Sequence, residues 1–223
     1  DYVLKFLLEK KVKHVPLLIG GAISFMVDAF SRNKKIKYIP VANEQSASMI
    51  ADAYSRSGAG YSCTMATSGP GATNLLTGIA CSYFDSIPSL HICGQVNTYE
   101  QQGFHKSTKK VRQVGFQETD SLSIYSSVTK SAEQLHDPSQ VAYTLDKAYS
   151  EAQAGRPGPV LIDIPDDLQR AHIDTATLPR YAAPASARSD GLSEQVQSLL
   201  SQISVAKRPV IVLGGGLSTP RKT

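Results

Sequence analysis

Cysteine is scarce in this 223-residue chain, and what there is cannot staple it. Cys63, Cys81 and Cys93 are odd in number, form no CxxC pair and lie in apolar stretches. That usage fits reduced, buried thiols in a reducing compartment, and no His or basic neighbour marks any of them as a nucleophile. No apolar run is long enough to cross a bilayer, and the opening Asp-Tyr-Val-Leu-Lys lacks a charged-then-apolar signal. The expectation is a soluble cytoplasmic protein with no membrane partner. Charge of one sign is also short, since 23 Lys plus Arg against 19 Asp plus Glu leave +4. No Lys/Arg block is interleaved with aromatics, which argues against nucleic acid. The nearest approach, Lys106, Lys109, Lys110 and Arg112, reads as a solvated loop before it reads as an anion site. The five histidines are scattered and no carboxylate falls at ligand spacing, so no metal is expected to be held by these residues. Neither GxxxxGK(S/T) nor GxGxxG occurs, which removes most support for a phosphate cradle or a dinucleotide turn. No internal repeat is visible.

What is present is ample for a core: 41% of the residues are hydrophobic. The length suggests one full domain plus a remainder. Apolar residues Val3, Leu4, Leu7, Leu8 and Val12 give Tyr2 to Val12 a helical spacing. Short apolar runs at 14–20, 37–41, 61–67, 89–94 and 159–164 read as strands, each closed by glycine, proline or polar residues. Between them, 22–30, 72–83, 120–127 and 138–154 read as helices, as does the stretch that follows Asn43, with Asn43 as an N-cap and Glu44 in the first turn. The helix after Glu44 is rich in small residues and suited to close packing. Residues 95–114 are polar and show little periodicity. The alternation predicts an α/β fold, an open parallel sheet with helices on both faces. Residues 1–170 form that domain, 171–190 an Ala-, Ser- and Pro-containing linker, and 191–223 the start of a second α/β domain. There, 192–203 reads as a helix and 209–213 as a strand entering Gly214-Gly215-Gly216. The chain opens mid-helix and closes just after that turn, so both ends read as cut.

In an open parallel sheet, ligands sit where strands end and helices begin. Four junctions stand out: Gly20-Gly21-Ala22, Asn43-Glu44-Gln45, Thr67 to Asn74, and Gly94-Gln95. Taken singly each is a turn, a cap or a tight connection, and a first-turn glutamate does no more than complement the helix dipole. His91, inside an apolar strand, reads as a core histidine.

In order along the chain, however, Glu44-Gln45, Ala66-Thr67-Ser68-Gly69-Pro70-Gly71-Ala72-Thr73-Asn74, Thr77-Gly78-Ile79-Ala80, Asp85-Ser86-Ile87-Pro88, Gly94-Gln95-Val96, Phe116-Gln117-Glu118-Thr119 and Gly155 to Pro165 resemble one family. It is the pyrimidine-binding domain of thiamine-diphosphate enzymes, most like that of acetolactate synthases and their relatives. The resemblance runs from about Leu18 to Leu168, and 208–216 resembles the start of the family's middle domain.

The resemblance implies a 2-oxoacid decarboxylase and carboligase. Glu44 would hydrogen-bond a ring nitrogen of the cofactor's aminopyrimidine and favour its imino tautomer, a role that works only if the acid is dry. Gln117 matches a glutamine that faces the reaction space. Gly69, Pro70 and Gly71 would line the wall near the pyrimidine by backbone approach, Asn74 would fix the following helix, and Gly20, Gly21 and Ala22 would edge the substrate channel. The cofactor is thiamine diphosphate. Its Mg2+ and diphosphate would be held through a Gly-Asp-Gly type motif that this sequence lacks, in another domain of a second subunit. FAD in a middle domain is a further implication. A homodimer or homotetramer follows, with the helix after Glu44 as candidate interface, and the 223 residues alone are expected to be inactive and to bind the cofactor poorly. Asn43, where these enzymes commonly carry His, Asn97, where they carry Pro, and the long basic stretch from Tyr99 to Gly115 depart from the pattern. They leave open another acceptor, as in a sugar or polysaccharide pathway. Two other classes stay open: a non-catalytic module, against which the retained Glu44 argues, and a nucleotide-binding α/β domain, against which the missing GxGxxG argues.

Overall fold

The computed structural model describes residues 1–104, 111–184, 191–212 and 214. Lys106, Lys109 and Lys110 of the basic run lie outside the described residues, as do Leu213, Gly215 and Gly216 of the expected second-domain turn. The chain divides into two compact units, Asp1–Ala182 and Ala183–Thr223.

The first unit is built in the order α1 (Tyr2–Glu9), β1 (His14–Leu17), α2 (Ser24–Ser31), β2 (Lys37–Pro40), α3 (Glu44–Arg56), β3 (Ser62–Ala66), α4 (Pro70–Asn74), α5 (Leu76–Phe84), β4 (Ser89–Gln95), α6 (Ser121–Tyr125), β5 (Ser131–Gln134), α7 (Val141–Gln153), β6 (Pro159–Pro165) and α8 (Asp166–Gln169). The six strands form one sheet in the order β2-β1-β3-β4-β6-β5. Every pairing is parallel. This is the doubly covered α/β sheet that the alternation predicted.

The two faces differ in chemistry. On one, Leu90, Ile92, Val160, Ile162 and Ile164 meet Phe6 and Leu7 of α1, Met26 and Phe30 of α2 and Leu145 of α7. On the other, Ala66, Cys93 and Leu161 pack with Ala47, Leu75, Ile79 and Tyr125. That second face also carries buried polar side chains. His91 is fully buried between Thr64 Oγ1, 2.7 Å from Nδ1, and Ser89 Oγ, 2.9 Å from Nε2. Burial pushes its pKa down to about 3, so it is a neutral core histidine, satisfied by hydroxyls.

The small residues of α3 are used inside the domain. Ala47, Ser48, Ala51, Asp52 and Ser55 are buried, and a Cβ at Gly78 of α5 would lie 2.3 Å from Ser48 Oγ. Two helices approach that closely only through a glycine. Asp52 on this face is paired with Arg56 at 3.0 Å and accepts from Ser82 Oγ at 2.9 Å. Asn43 caps α3 as expected, with extended backbone and Oδ1 accepting from Gln45 N at 2.8 Å, a bond whose loss costs about 1 kcal/mol.

Three differences from the sequence reading have physical reasons. The expected helix over 72–83 is two, because the Ala72 carbonyl takes the Tyr125 hydroxyl and an i→i+3 bond from Leu75 N at 3.1 Å. Strand β5 was not expected: its Ser-Ala-Glu-Gln is half-buried throughout and alternates in nothing, and only its pairing with β6 makes it a strand. In the second unit the expected helix is present as α9 (Leu192–Val205), but 209–212 is not a strand. Val210, Ile211 and Val212 are exposed, and no second strand among the described residues offers them hydrogen bonds.

Candidate active site

The candidate residues that open helices or turns gather at the carboxyl ends of β1, β2, β3 and β4, where sheet topology places ligands in this architecture. Backbone approach controls the geometry. A Cβ at Gly94 would lie 1.9 Å from the Ala22 carbonyl oxygen, so β4 presses directly on the 3-10 turn at Gly21–Ile23. Ala22 is held from both sides: its N–H donates to Thr67 Oγ1 at 3.1 Å, and its carbonyl accepts from Gln169 Nε2 at 2.7 Å. Gly20 lies under Thr67, its would-be Cβ 2.5 Å from Thr67 Cβ, whereas a Cβ on Gly21 would meet nothing within 4 Å. Gly21 and Ala22 line an open cleft and Gly20 supports it from behind.

Glu44 is the first residue of α3 and only 5% exposed. Its Oε2 accepts from Asn74 Nδ2 at 3.0 Å. Its Oε1 lies 3.2 Å from where Gly71 would carry a Cβ, and the same Cβ would lie 2.7 Å from Thr67 Cγ2. The carboxylate therefore rests on a glycine that has no room for a side chain. The helix N-terminus supplies a favourable field for its negative charge. The side chain of Asn74, expected to fix the following helix, reaches across to the glutamate.

Gly69 has φ +63 and ψ −127, a region that is essentially glycine's own, and it turns β3 into α4. Pro70 follows at the first helical position, where its missing N–H costs nothing. It is exposed in this chain. Gln117 also has positive φ, +62, and its Cβ lies 2.7 Å from a would-be Cβ on Gly69. The structure thus brings Glu44, Gly71 and Asn74 together at one point, and Gly69 and Gln117 at another. Thr67 stands between them and the Gly20–Ala22 turn.

A cleft of about 400 Å³ opens beside Gln117, lined among others by Gly21, Ala22, Thr67, Gln95, Asn97 and Asp166. A second cavity of about 440 Å³, between α1, α2 and the segment after α8, holds none of the candidate residues.

Sequence reasoning named Asn97, Phe116 and Gln117 on the cleft's outer wall but not the hydrogen bonds that hold it. Among the described residues of the stretch 95–114, read as polar with little periodicity, backbone N–H groups are taken up by carboxylates. Glu118 accepts from Gln102 N at 2.6 Å and Val114 N at 2.8 Å, and Asp167 from Thr98 N at 3.0 Å. Asn97 is held between Glu100 Oε2, at 2.7 Å, and Arg170 Nη2, at 3.2 Å. Tyr99 is exposed, and Phe116 is 81% exposed. Thr67 and Gln95 were visible as motif members, but nothing in their spacing gave them a task. Asp163, inside an apolar strand, gave a signal that was not followed: a buried acid needs a reason. It is fully buried on β6, and desolvation pushes its pKa up to about 7 against the pull of Gln95, Ser121 and Gln134. Among the described residues no group of three or more His, Cys, Asp or Glu side chains gathers to hold a metal, and no helix is long and apolar enough to cross a membrane.

Residues 1–124 match the family model described as thiamine pyrophosphate enzyme, N-terminal TPP binding domain. The acetolactate synthase large subunit of Lactococcus lactis subsp. lactis (strain IL1403) is 37% identical over 155 residues, which is 69% of this chain and 25% of that protein. The acetolactate synthase isozyme 1 large subunit of Escherichia coli (strain K12) is 36% identical over 217 residues, 97% of this chain and 37% of that protein. A probable acetolactate synthase large subunit of Methanocaldococcus jannaschii is 38% identical over 160 residues, 69% of this chain and 25% of that protein. The chain thus spans a quarter to just over a third of the length of these curated relatives.

Proposed function

This chain belongs to the thiamine pyrophosphate enzyme family through its N-terminal TPP-binding domain, and from that membership we propose that it is the pyrimidine-binding part of a 2-oxoacid decarboxylase and carboligase of the acetolactate synthase type. The observation that carries the proposal is the buried Glu44 carboxylate, resting on Gly71 and tied to Asn74.

The residues fit the aminopyrimidine of thiamine diphosphate. A flat ring needs walls without side chains and one shielded acid, and Gly69, Gly71 and Glu44 provide them. When bound, the cofactor supplies the electron sink that lets a 2-oxoacid lose carbon dioxide and pass on a two-carbon unit. Because Asn74 Nδ2 only donates, Glu44 Oε2 must accept. A proton shared with a ring nitrogen therefore belongs on Oε1. Exclusion of water keeps that hydrogen bond from being exchanged for solvent. Gln117 contacts the substrate in the cleft that Gly21 and Ala22 edge, and Gly69 fixes where Gln117 stands. Pro70 lines this wall only where another surface covers it.

The diphosphate and its Mg2+ are held by another part of the whole enzyme, contributed by a second subunit, so the working form is a homodimer or homotetramer in the cytoplasm. Met49 and Ile50, exposed on α3 beside its internally packed face, leave that helix available as the interface. FAD belongs to the middle domain, and branched-chain amino acid biosynthesis is the pathway the relatives favour. A different acceptor is the second reading, favoured by Asn97, which lines the cleft where these enzymes commonly carry proline. Acceptor screening of the holoenzyme separates the two readings.

Glu44→Gln in the holoenzyme tests the assignment. Turnover should fall a hundredfold or more, about 2.7 kcal/mol of transition-state stabilisation. Unchanged cofactor-dependent turnover would show that Glu44 does not carry this role.

A further inference from the structure

Gln95 ends β4 and is 2% exposed. Its amide uses every polar atom it has: Nε2 donates to Asp163 Oδ2 at 3.0 Å and to the Thr119 carbonyl at 2.8 Å, and Oε1 accepts from Val96 N at 3.0 Å. Thr119 Oγ1 in turn donates to the Gln117 carbonyl at 3.2 Å. A buried carboxylate on β6 is therefore linked, through one glutamine, to the segment that carries Gln117. That segment needs holding, because a glutamine at φ +62 does not stay there by preference. Gln95 and Gln117 line the same cleft.

We propose that Asp163 and Gln95 are a positioning pair that sets Gln117 against the substrate cleft. The inference rests on Gln117 contacting substrate. Gln95 is oriented by its two acceptors together. Without Asp163 its amide is free to rotate and releases Thr119.

The buried acid makes the link sensitive to pH. The titratable groups that face Asp163 are Cys93 on β4, whose thiol is itself pushed up by burial, and Asp120 at the start of α6. Gln134 of β5 and Ser121 of α6 are its neutral neighbours, and no ion pair reaches it among the described residues. Ionised Asp163 accepts from Gln95 in a charge-assisted bond, which is about twice as strong as the bond a neutral acid would make. The Gln117 segment is therefore held more firmly above pH 7 than below it.

The test uses the holoenzyme with pyruvate as the 2-oxoacid. Gln117→Ala should raise KM, which establishes the reading on which the inference depends. Asp163→Asn and Gln95→Leu should each raise KM five- to tenfold at pH 8 with kcat within twofold, and Asp163→Asn should flatten the dependence of KM on pH around 7. If Gln117→Ala raises KM while both partner variants keep the wild-type KM and pH profile, the positioning pair is refuted and the role of Gln117 stands. If Gln117→Ala leaves KM unchanged, both fail. A measurement on the wild type guards against variants that do not fold. Amide hydrogen exchange over 115–121, corrected for intrinsic rates, should slow severalfold between pH 6 and pH 8. Protection that is flat across that range overturns the proposal.

Discussion

Gly71→Ala probes the contact on which the candidate site is built. The added methyl would lie 2.7 Å from Thr67 Cγ2 and 3.2 Å from Glu44 Oε1, and the first distance is too short for any real carbon pair. Two terms oppose each other. Gly71 lies in α4 with ordinary helical backbone, so alanine gains up to about 1 kcal/mol of helix propensity. Overpacking against Thr67 costs about 1–3 kcal/mol. The single variant should therefore lose between nothing and about 3 kcal/mol of stability. Thr67→Ser removes Cγ2 but keeps the oxygen that accepts the Ala22 N–H at 3.1 Å. By itself it should cost about 1 kcal/mol for the lost methyl. In the double variant the clash with Thr67 Cγ2 is gone and the propensity gain remains, so the two changes should couple by about 1–3 kcal/mol in the stabilising direction. Urea unfolding of the four proteins, followed by far-ultraviolet circular dichroism, measures the coupling directly. Additivity within about 0.5 kcal/mol would mean that Thr67 is not the wall that excludes a side chain at Gly71.

Gly69→Ala combines a glycine-only backbone with a Cβ 2.7 Å from Gln117 Cβ; it should destabilise by about 1–3 kcal/mol in chemical unfolding and shift Gln117 as well. Asn43→Ala removes the cap on α3 and should lower stability by about 1 kcal/mol, read from the denaturation midpoint, with little change in slope. Two buried groups give opposite pH slopes. His91 has a folded pKa near 3, so its contribution is fully present above about pH 6.5 and is lost as pH falls from there towards 3. Asp163, raised to about 7, does the reverse, gaining stability as pH falls from 7 towards its unfolded value near 4. Each slope is about 1.4 kcal/mol per pH unit, so the two should nearly cancel between about pH 6.5 and 4 in the wild type. Unfolding measured across that range should show stability rising on acidification in His91→Gln and falling in Asp163→Asn; parallel curves for all three proteins would contradict the assignment.

The amino-acid order determined the architecture, because strand and helix periods are local. Short apolar runs bounded by glycine and proline, alternating with helical stretches such as Val141 to Gln153, leave a parallel sheet as the arrangement that buries both faces of each strand. It also determined the cap at Asn43, the glycine turn at Gly69 and the candidacy of Glu44, since each is a short-range pattern. It did not determine strand β5, whose Ser-Ala-Glu-Gln is a strand only because β6 offers it hydrogen bonds. Nor did it determine that Asn74 serves Glu44, that Thr67 separates the acid from the cleft, or that Asp163 reaches Gln117 through Gln95. Those relations join residues 30, 45 or 68 positions apart in contacts such as Asn74 to Glu44, Ala22 to Thr67 and Gln95 to Asp163. Sequence spacing carries no record of such neighbours. They come into existence only when the strand ends are brought side by side and side chains with unmet hydrogen bonds find each other away from water.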